Sequence, residues 1–490
     1  MKPYLQVMKF GGTSVGDAKC IASVAEIVDR AARESSVVVV VSAMSGVTNT
    51  LIEAATRSEL GDREHASALL EKLRKQHETA IAALIQDPGT REKLAARLNE
   101  ILGDAKRLCE GTALLRQLTP RTMDTVSSLG ERLSAPLVAG ALIERGVRSE
   151  AIEATDLIVT DSNHGGAEPL AAKTRERCEA RLRPLLQQGI VPVVTGFIGA
   201  TTEGILTTLG RGGSDYSGTI LGAAVGANEV IIWTDVNGVL TADPRLVPQA
   251  QTIPEISYRE AAELAYFGAK VLHPKTLRAV ADAGIPVWIR NTFQPSHPGT
   301  KITPQVQQGP RGVKALTAIS DASLISVGGP GIIGVPDVVG RTFSTTAAAR
   351  VNVLLISQSS SQNDICFVVP AADGKRTVEA LRQQFAQDLA HQTVEHITLD
   401  ANISIVAVVG ENMRGTVGLA GRTFIALGRE NVNLIAIAQG SSETNISFVV
   451  SANDMKKALL AVHKEWSLEA PVSPAAPVTP GAPQSAPVIG

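Results

Sequence analysis

The first 305 residues alternate between short apolar runs and longer segments in which apolar residues recur every three or four positions. The clearest runs lie at residues 37–42, 191–195, 230–234 and 286–289. Uninterrupted apolar runs of this length are typical of strands that are covered on both faces. Because amphipathic helices lie between them, the pattern predicts a mostly parallel sheet with helices on each side.

Two local patterns refine this prediction. Ser257, followed by Glu260 three residues later, has the sequence signature of a capping box and marks the start of a helix. The charged stretch from about residue 59 to 118 predicts a helical hairpin that stands off the sheet, with its charges on a solvated face.

The C-terminal third contains an internal repeat, beyond a plausible linker at residues 307–312. The sequence GRTF that begins at Gly340 recurs at Gly421, an offset of 81 residues that holds without a gap. The same offset aligns Gly329 with Gly410, Gly334 with Gly415, Val351-Asn352 with Val432-Asn433, Gln358 with Gln439, Ser360-Ser361 with Ser441-Ser442, and residues 367–369 with 448–450. Each copy reads as strand, helix, strand, strand, helix, which is most of a ferredoxin-like unit.

Composition and charge narrow the class of protein. The 490 residues are too many for one compact core, and a net charge of −2 argues against a dedicated nucleic-acid binder. The longest apolar run is too short to span a bilayer, and no apolar signal segment stands at the N-terminus. The four cysteines are scattered without metal-type spacing or a disulfide framework. We therefore expect a cytoplasmic protein of several domains that binds neither nucleic acid nor membrane.

The most informative short motif is KFGGTS, residues 9–14, which follows an apolar segment and precedes a helical pattern from about residue 18 to 33. A strand that ends in a glycine turn and opens a helix brings together backbone N–H groups, a helix N-terminus and here a lysine. This arrangement suits a phosphate. It differs from a Walker A loop because the lysine precedes the glycines. The alternative is an ordinary strand–turn–helix corner.

Five further stretches place polar groups at strand ends, in helices or in glycine turns, where open α/β sheets form their sites. They contain Ser42, Ser45 and Thr48; Glu131; the run Arg211, Gly212, Gly213, Ser214 and Asp215; Thr234, Asp235, Asp243 and Arg245; and Lys270. Each has a plain structural alternative: a tight turn, a surface helix residue, a cap or a helix C-terminus. His273 is most simply a structural histidine.

The combination points to phosphoryl transfer onto an amino acid. Lysines beside a glycine-rich cradle neutralise charge on a moving phosphoryl group. An arginine can bind an α-carboxylate through its guanidinium fork, and a glutamate can accept hydrogen bonds from an α-ammonium. The sequence shows no cysteine–histidine nucleophile or metal cluster that competes with this interpretation.

The motifs KFGGTS, SAMSGVTN, SLGERLSA, GFIGATTEGILTTLGRGGSDYSG, WTDVNGVLTADPR and FGAKVLHPKT resemble the successive signature blocks of aspartokinases, in family order. Aspartokinases belong to the amino-acid kinase superfamily, and the repeat resembles their tandem ACT domains. The resemblance covers about residues 5–465. The stretch LCEGTALLRQLTPRTMD resembles the kinase half of bifunctional aspartokinase/homoserine dehydrogenases. Because no dehydrogenase domain follows, we expect a stand-alone kinase.

The resemblance implies an α/β fold: a three-layer αβα amino-acid kinase (carbamate kinase-like) domain over residues 1–305, followed by two ferredoxin-like ACT domains. These are expected at residues 315–392 and 393–468. In this family the second ACT unit is inserted within the first, so a strand near residues 456–468 is expected to complete the first unit. Residues 469–490 are rich in proline and alanine, and we expect them to be disordered.

The implied reaction is the transfer of the ATP γ-phosphoryl group to the β-carboxylate of L-aspartate, giving 4-phospho-L-aspartate. It is the first step towards lysine, threonine and methionine. The carboxylate is already ionised near neutral pH, so the protein must supply alignment and charge neutralisation, not a general base. Mg²⁺ would be carried mainly by the phosphates, with no metal site made of protein side chains alone.

The resemblance also assigns roles to residues of this chain. Lys9 would contact the transferred phosphoryl group, with Gly11 and Gly12 as backbone donors, and Asp215 would orient a lysine or a metal-bound water. The aspartate site would comprise Arg211 on the α-carboxylate, Glu131 on the α-ammonium, Ser42 and Thr48 at the other end, and Gly212, Gly213 and Ser214. The ATP site would comprise Lys9, Phe10, Gly11, Gly12, Thr234, Asp235, Arg245, Lys270 and Val271, with Lys270 also catalytic. Leu240 stands where many relatives have a tyrosine near the base.

The ACT pair implies a sensor for an amino acid, threonine or lysine, bound between ACT units of two subunits, and hence a homodimer or homotetramer. Gln358 and Gln439 are the candidate effector contacts; the alternative is that they are turn residues kept by duplication. Two other functions stay open at this point. One is a kinase for glutamate or N-acetylglutamate, and the other is an amino-acid-binding regulatory protein whose kinase half is inactive.

Overall fold

The computed structural model describes residues 4–268, 272–304, 306, 312–329, 336–358, 364–410, 413, 416–439 and 444–470. Several sequence-based expectations fall outside these ranges. They concern Lys270 and Val271, the linker at residues 307–311, the repeated pairs Ser360-Ser361 and Ser441-Ser442, Gly334 and Gly415, and the tail from residue 471 onward.

Ten strands lie in the described residues of the N-terminal part. They are β1 (Leu5–Phe10), β2 (Ser36–Val41), β3 (Ser149–Ile152), β4 (Val191–Thr195), β5 (Ile198–Ala200), β6 (Leu206–Thr208), β7 (Glu229–Thr234), β8 (Glu255–Ser257), β9 (Val287–Asn291) and β10 (Thr300–Thr303). Eight of them form one sheet in the order β3-β4-β2-β1-β7-β9-β10-β8, and β5 and β6 form a separate hairpin. The pairs in the large sheet are parallel except β9 with β10. The predicted mostly parallel sheet is confirmed.

Nine helices surround this sheet in the described residues. They are α1 (Ala18–Glu34), α2 (Val47–Glu59), α3 (Arg63–Leu84), α4 (Pro88–Leu115), α5 (Pro120–Glu144), α6 (Ala171–Gln187), α7 (Gly213–Val225), α8 (Tyr258–Tyr266) and α9 (Pro274–Ala281). In the described part of the chain, no helix combines the length and the apolarity that crossing a lipid bilayer requires.

The central strands feed two separate cores because successive side chains of a strand point to opposite faces. Val7, Val38 and Val40 join the core beneath α6, α7 and α9. Met8 and Val39 belong to the core on the other face, beneath α1 to α5. The run from Val37 to Val41 in β2 is therefore apolar on both faces, as the sequence predicted.

The helical hairpin predicted over residues 59–118 is confirmed as α3 and α4, which pack on α2 and α5. Their N-termini are capped by Asp62 and Asp87, whose side chains accept hydrogen bonds from backbone N–H groups of the first turn. The capping box at the start of α8 is also present, with reciprocal bonds between Ser257 and Glu260.

The C-terminal part repeats one set of elements. The first copy comprises β11 (Ala315–Gly328), α10 (Pro336–Ala348), β12 (Leu355–Gln358), β13 (Asp364–Pro370), α11 (Gly374–Gln384) and the short α12 (Ala386–Ala390). The second comprises β14 (His396–Val409), α13 (Leu419–Arg429), β15 (Ala436–Gln439), β16 (Asn445–Ser451) and α14 (Met455–Glu465). The strands form one antiparallel sheet in the order β12-β13-β11-β14-β16-β15. The predicted ferredoxin-like repeat is confirmed.

The two copies exchange strand halves. The second half of β11 (residues 322–328) pairs with β13 and with the first half of β14, which supplies the fourth strand of the first unit. The first half of β11 (residues 315–319) pairs with the second half of β14 and supplies the fourth strand of the second unit. A register shift between Ile319 and Ala322 separates the halves. We call β11 and β14 together the shared ribbon.

This arrangement corrects the expected topology. Residues 456–468 are not a strand, because Met455–Glu465 is a helix whose Leu459 and Val462 recur at helical spacing and are buried. The displaced strand comes instead from the start of the repeat region, and it completes the second unit. The first unit is thus inserted within the second.

The two parts of the chain contact each other along the loop after β7 and along α8. The backbone carbonyl of Thr241 accepts a hydrogen bond from Leu316 of β11, at 2.8 Å. The Thr241 hydroxyl lies 3.0 Å from Nε2 of the buried His463 on α14. Lys314 forms an ion pair with the buried Glu260, at 2.8 Å. The loop that follows β7 is therefore held by the C-terminal repeat as well as by the large sheet.

Candidate active site

A cleft of about 640 Å³ opens at the carboxyl ends of β1 and β2, beside the N-terminus of α7. Clefts at this end of a parallel sheet are the usual ligand sites of open α/β folds. The residues that line it include Lys9, Ser42, Asn49, Met123, Asp124, Ser127, Gly165, Phe197, Thr208 and the whole run from Gly210 to Asp215. Sequence analysis named seven of these: Lys9, Ser42, Arg211, Gly212, Gly213, Ser214 and Asp215.

Lys9 lies near the end of β1 and is only 6% exposed. Its Nζ forms an ion pair with the carboxylate of Asp215, in the first turn of α7. The side chain reaches the cleft by crossing α7 at Gly218, where an added Cβ would lie 3.0 Å from Lys9 Cβ. The absence of a side chain at Gly218 thus leaves a path for the lysine.

The turn between β6 and α7 requires glycine for its backbone conformation and for its close packing. Gly210 and Gly212 have φ values of +77° and +72°, in the left-handed region that favours glycine. A Cβ on Gly212 would lie 2.7 Å from His273 Cβ, and one on Gly213 would lie 2.8 Å from Phe197. Arg211 is exposed at the top of this turn. The turn therefore presents a cation beside the N-terminal N–H groups of α7, a favourable setting for an anion.

Glu131 lies in the middle of α5 and is 3% exposed. Burial raises the pKa of its carboxyl to about 8, while the backbone N–H of Ala43, the charge of Lys9 and the hydroxyl of Ser214 act in the opposite direction. Its Oε2 has no hydrogen-bond partner among the described residues. A buried carboxyl with an unsatisfied oxygen is costly unless a cationic group approaches it. The surface-helix alternative for Glu131 is wrong.

Gly130 and Thr48 explain how α5 approaches the loop after β2. A Cβ on Gly130 would lie 2.6 Å from Ala43 Cβ and 3.4 Å from the Thr48 hydroxyl oxygen. Ser42 continues the strand pairing, since its N–H donates to the Phe10 carbonyl at 3.1 Å. Ser42 and Thr48 are partly buried and lie on the loop that separates Lys9 from α5.

Sequence analysis missed Asp124, which lines the cleft and is 2% exposed. It accepts hydrogen bonds from the Thr208 hydroxyl at 2.6 Å, from His164 Nδ1 at 2.7 Å and from the Gly165 N–H at 3.0 Å. A signal was available, because Asp124 precedes Glu131 by seven residues and so lies on the same face of α5.

The proposed nucleotide side is only partly assembled. Ser14 donates to the Trp233 carbonyl at 3.3 Å and contacts the Thr292 hydroxyl at 2.7 Å, which joins the turn after β1 to the ends of β7 and β9. Thr234 donates to Asp235 at 3.2 Å. Arg245 is bound to Asp243 at 2.6 Å, with 74% of its side chain exposed.

Two expectations about the first motif need correction. The Gly11 N–H donates to the Trp233 carbonyl at 3.1 Å, because the pairing of β1 with β7 extends one residue beyond the strand. It is therefore not a free donor for a phosphate. The Phe10 ring is fully buried and stacks on Trp233 with centroids 6.0 Å apart, so Phe10 can offer a ligand only its backbone.

His273 is confirmed as a structural residue. It caps the N-terminus of α9, where its ring nitrogen accepts a hydrogen bond from the Lys275 N–H at 3.3 Å. Burial, with the charges of Lys275 and Arg211, lowers the pKa of this histidine. The cap thereby places the start of α9 directly against the glycine turn.

These groups define a class of protein before any relative is considered. A lysine–aspartate pair, a helix N-terminus and an arginine meet around one cleft, with the carboxyl of Glu131 buried beneath it. Such a site can bind a phosphate beside a small zwitterion and neutralise charge between them. Such an arrangement is typical of phosphoryl-transfer enzymes that act on amino acids.

Comparison with known families agrees with this class. A family model described as the amino acid kinase family matches residues 5–291, and an ACT domain model matches residues 325–385 and 406–466. The chain therefore belongs to the amino acid kinase family and carries two ACT domains.

The relatives include bifunctional enzymes. The chain is 37% identical over 468 residues to bifunctional aspartokinase/homoserine dehydrogenase 1, chloroplastic, of Arabidopsis thaliana, with 94% of this chain and 51% of the relative covered. It is 33% identical to the bifunctional aspartokinase/homoserine dehydrogenase of Haemophilus influenzae, with 94% and 56% covered. The chain thus spans about half the length of these curated relatives.

Solved structures match over nearly their whole length. Aspartokinase III of E. coli in complex with lysine and aspartate has 30% sequence identity and a TM-score of 0.77, with 94% of this chain and 99% of that chain covered. The same E. coli enzyme has also been solved with aspartate and ADP. The aspartate kinase of Clostridium acetobutylicum has 26% identity and a TM-score of 0.78.

Proposed function

We propose that this chain is an aspartate kinase that transfers the γ-phosphoryl group of ATP to the β-carboxylate of L-aspartate. The observation that carries the proposal is the buried Glu131 carboxyl beneath the cleft that Lys9 and Arg211 line. A free α-ammonium is the cation that satisfies such a carboxyl. Kinases for N-acetylated substrates have no use for it, because an acetylated nitrogen carries no positive charge.

The substrate is bound at both ends in this proposal. Arg211 binds the α-carboxylate and Glu131 binds the α-ammonium, while Ser42 and Thr48 position the β-carboxylate, with Gly212, Gly213 and Ser214 forming the wall of the pocket. The β-carboxylate oxygen attacks the γ-phosphorus, the bond to the β,γ-bridging oxygen breaks, and ADP leaves. No proton needs to be removed, because the attacking carboxylate is already ionised.

Lys9 neutralises charge on the transferred group, and Asp215 holds the Lys9 ammonium in place through their ion pair. Lys270 is proposed as a second cation on the phosphates. The nucleotide lies along Gly12, Thr234, Asp235, Arg245 and Val271, with the backbone of Phe10 nearby. Leu240 packs against the base in place of an aromatic ring.

Mg²⁺ fits this donor set as an ion bound mainly by ATP phosphates and water. Among the described residues, no group of three or more histidine, cysteine, aspartate or glutamate side chains is arranged to hold a metal ion. Asp215, the carboxylate beside Lys9, is the side chain that would contact the ion. When bound, Mg²⁺ neutralises charge on the phosphates.

For regulation, we propose that the ACT pair binds threonine or lysine and that the protein is a homo-oligomer through these domains. The kinase domain is assigned to residues 1–305, and the ACT units to residues 315–392 and 393–468 apart from the exchanged strand. Gln358 and Gln439 end β12 and β15, which touch through a hydrogen bond from the Ser357 hydroxyl to the Ile437 carbonyl at 3.1 Å. A ligand between these strands contacts both units.

The effector site is tested with Gln358→Ala. We expect the inhibitor concentration for half inhibition to rise at least fivefold, because a side-chain hydrogen bond to the effector is lost, while uninhibited activity is unchanged. Glu379→Gln, on the exposed face of α11, is the control. Titrations with threonine and with lysine identify the effector, and an unchanged midpoint for both argues against Gln358.

The reaction is tested by incubating the protein with ATP, Mg²⁺, L-aspartate and hydroxylamine, and measuring aspartyl hydroxamate. Parallel reactions with glutamate and N-acetylglutamate test the alternative substrates. We expect product with aspartate alone, and none from Lys9→Ala. A folded wild-type protein that gives no hydroxamate without inhibitor would refute the proposal. Product from N-acetylglutamate would instead identify the chain as a kinase for that amino acid.

A further inference from the structure

We propose that Asp124 and His164 are positioning residues that hold the loop of residues 161–168 against the glycine turn carrying Arg211, and so set the affinity for the substrate α-carboxylate. The identity of the substrate rests on the function proposed above. The positioning itself rests on contacts within this chain. We call this loop the buttress loop.

Both carboxylate oxygens of Asp124 accept hydrogen bonds from protein donors. Oδ1 accepts from the Thr208 hydroxyl at 2.6 Å and from the Gly165 N–H at 3.0 Å. Oδ2 accepts from His164 Nδ1 at 2.7 Å and from the same Gly165 N–H at 3.2 Å. Three donors thus make four contacts with this carboxylate, because the Gly165 N–H is shared between its two oxygens. Asp124 therefore fixes its neighbours instead of binding the substrate.

The buttress loop packs directly on the turn. A Cβ on Gly210, whose φ is +77°, would lie 2.9 Å from the Gly165 carbonyl oxygen and 3.3 Å from the Gly166 Cα. The Ala167 N–H donates to the Thr208 carbonyl at 2.9 Å, two residues before Gly210. Asp124 thus forms hydrogen bonds on both sides of this contact, with Gly165 in the buttress loop and with Thr208 in β6. The next residue after Gly210 is Arg211.

One helix thereby sets the separation of two recognition groups. Glu131 lies seven residues after Asp124 on α5, two helical turns along the same buried face. Glu131 faces the substrate ammonium itself, whereas Asp124 acts on the arginine through the buttress loop. The spacing between ammonium and carboxylate of a free α-amino acid is therefore built into a rigid element, which gives binding its precision.

The experiment measures kcat/KM for L-aspartate and KM for ATP in Asp124→Asn, which keeps the side-chain volume but replaces one acceptor oxygen with a donor. We expect kcat/KM for aspartate to fall at least tenfold through KM, with KM for ATP changed less than twofold. Asp161→Asn is the matched control. Its carboxylate accepts N–H groups of Asn163 and Glu168 within the same loop, without a bond to α5. We expect less than a threefold change there.

A double-mutant cycle separates positioning from general loosening. In an Arg211→Ala background, Asp124→Asn should reduce kcat/KM for aspartate less than threefold, because the arginine that Asp124 positions is absent. A tenfold loss in both backgrounds, or an equal rise in KM for ATP, would overturn the proposal.

His164 supplies a second variant that does not depend on a buried substitution, since 20% of its side chain is exposed. His164→Ala should lower kcat/KM for aspartate about fivefold. His164→Asn should restore it, because an asparagine amide can donate from the position of Nδ1. Equal values for the two variants would contradict the role of this hydrogen bond. If the wild-type protein has no aspartate kinase activity, the proposed function is refuted. That result is distinct from the results that refute the positioning role.

Discussion

Replacing Glu131 with glutamine should stabilise the empty protein and weaken substrate binding at the same time. Burial raises the pKa of this carboxyl from 4.5 to about 8. At pH 7 the group is thus ionised in the unfolded chain and protonated in the folded, empty site. The folded-state pKa of this acid lies above its unfolded value. The free energy of unfolding lost by burying this carboxyl is therefore zero below pH 4.5. The loss grows as the pH rises to 8 and is constant above pH 8.

The magnitude follows from the pKa difference. Each pKa unit corresponds to about 1.4 kcal/mol, so protonating this carboxyl at pH 7 costs about 3 kcal/mol of folding free energy. Glutamine has the same shape and no charge to lose, so Glu131→Gln should recover about that amount. For a domain of this size the expected rise in Tm is roughly 5 °C. Aspartate binding should weaken at least tenfold, about 1.4 kcal/mol or more, because the ammonium loses its anionic partner.

The assay is thermal unfolding of the ligand-free protein at pH 5, 6, 7 and 8, paired with KM for aspartate. The Tm difference between variant and wild type should widen from pH 5 to pH 8. KM of the wild type should fall as pH rises towards 8, since the ammonium binds the ionised form, whereas KM of the variant should be flat. Glu92→Gln, at an exposed site on α4, is the control. A variant no more stable than wild type at pH 8, or an unchanged KM, would refute the reasoning.

Two further predictions concern Lys9 and the helical hairpin. Gly218→Ala places a Cβ 3.0 Å from Lys9 Cβ and should lower kcat at least tenfold, about 1.4 kcal/mol. The control is Gly222→Ala, whose added Cβ contacts Val230 instead and should lower stability without this loss of kcat. Equal kcat values in the two variants would contradict the prediction. Burial lowers the pKa of His77 below 6.5, so the folded state binds that proton less tightly than the unfolded chain and stability falls as pH drops below 6.5. Urea unfolding at pH 7.5 and 5.5 should show a larger loss for wild type than for His77→Leu; an equal loss would remove His77 as the cause.

Sequence patterns predicted the large sheet well because each central strand is buried on both faces. Val37 to Val41 are all apolar and fully or almost fully buried, so the run itself encodes its environment. The repeat was equally readable, since an offset of 81 residues maps β12 onto β15 and β13 onto β16. Lys9 and Arg211, which line the cleft, were also predicted from the sequence, because each stands close to a pair of glycines.

Contacts between distant segments were not readable in the same way. Asp124 is bound by Thr208, 84 residues away, and nothing near Asp124 in the sequence announces this partner. The Gly11 N–H was expected to face a ligand, but the pairing with Trp233 depends on where two strands end relative to each other. The exchanged strand halves were missed for the same reason, since register between remote strands is a tertiary property.

The shared ribbon joins the two ACT domains into one continuous sheet. Ala315 pairs with Val409, so the first strand of this region finds one of its partners only after more than ninety further residues have been made. Closing such a distant contact is slow compared with local structure. A fragment that stopped at residue 392 would leave all of β11 without its β14 neighbour, an open edge that invites pairing with another chain. During synthesis the edge of β11 stays unpaired until β14 has been made. A ribosome that pauses before the end of β14 prolongs the exposure of this edge.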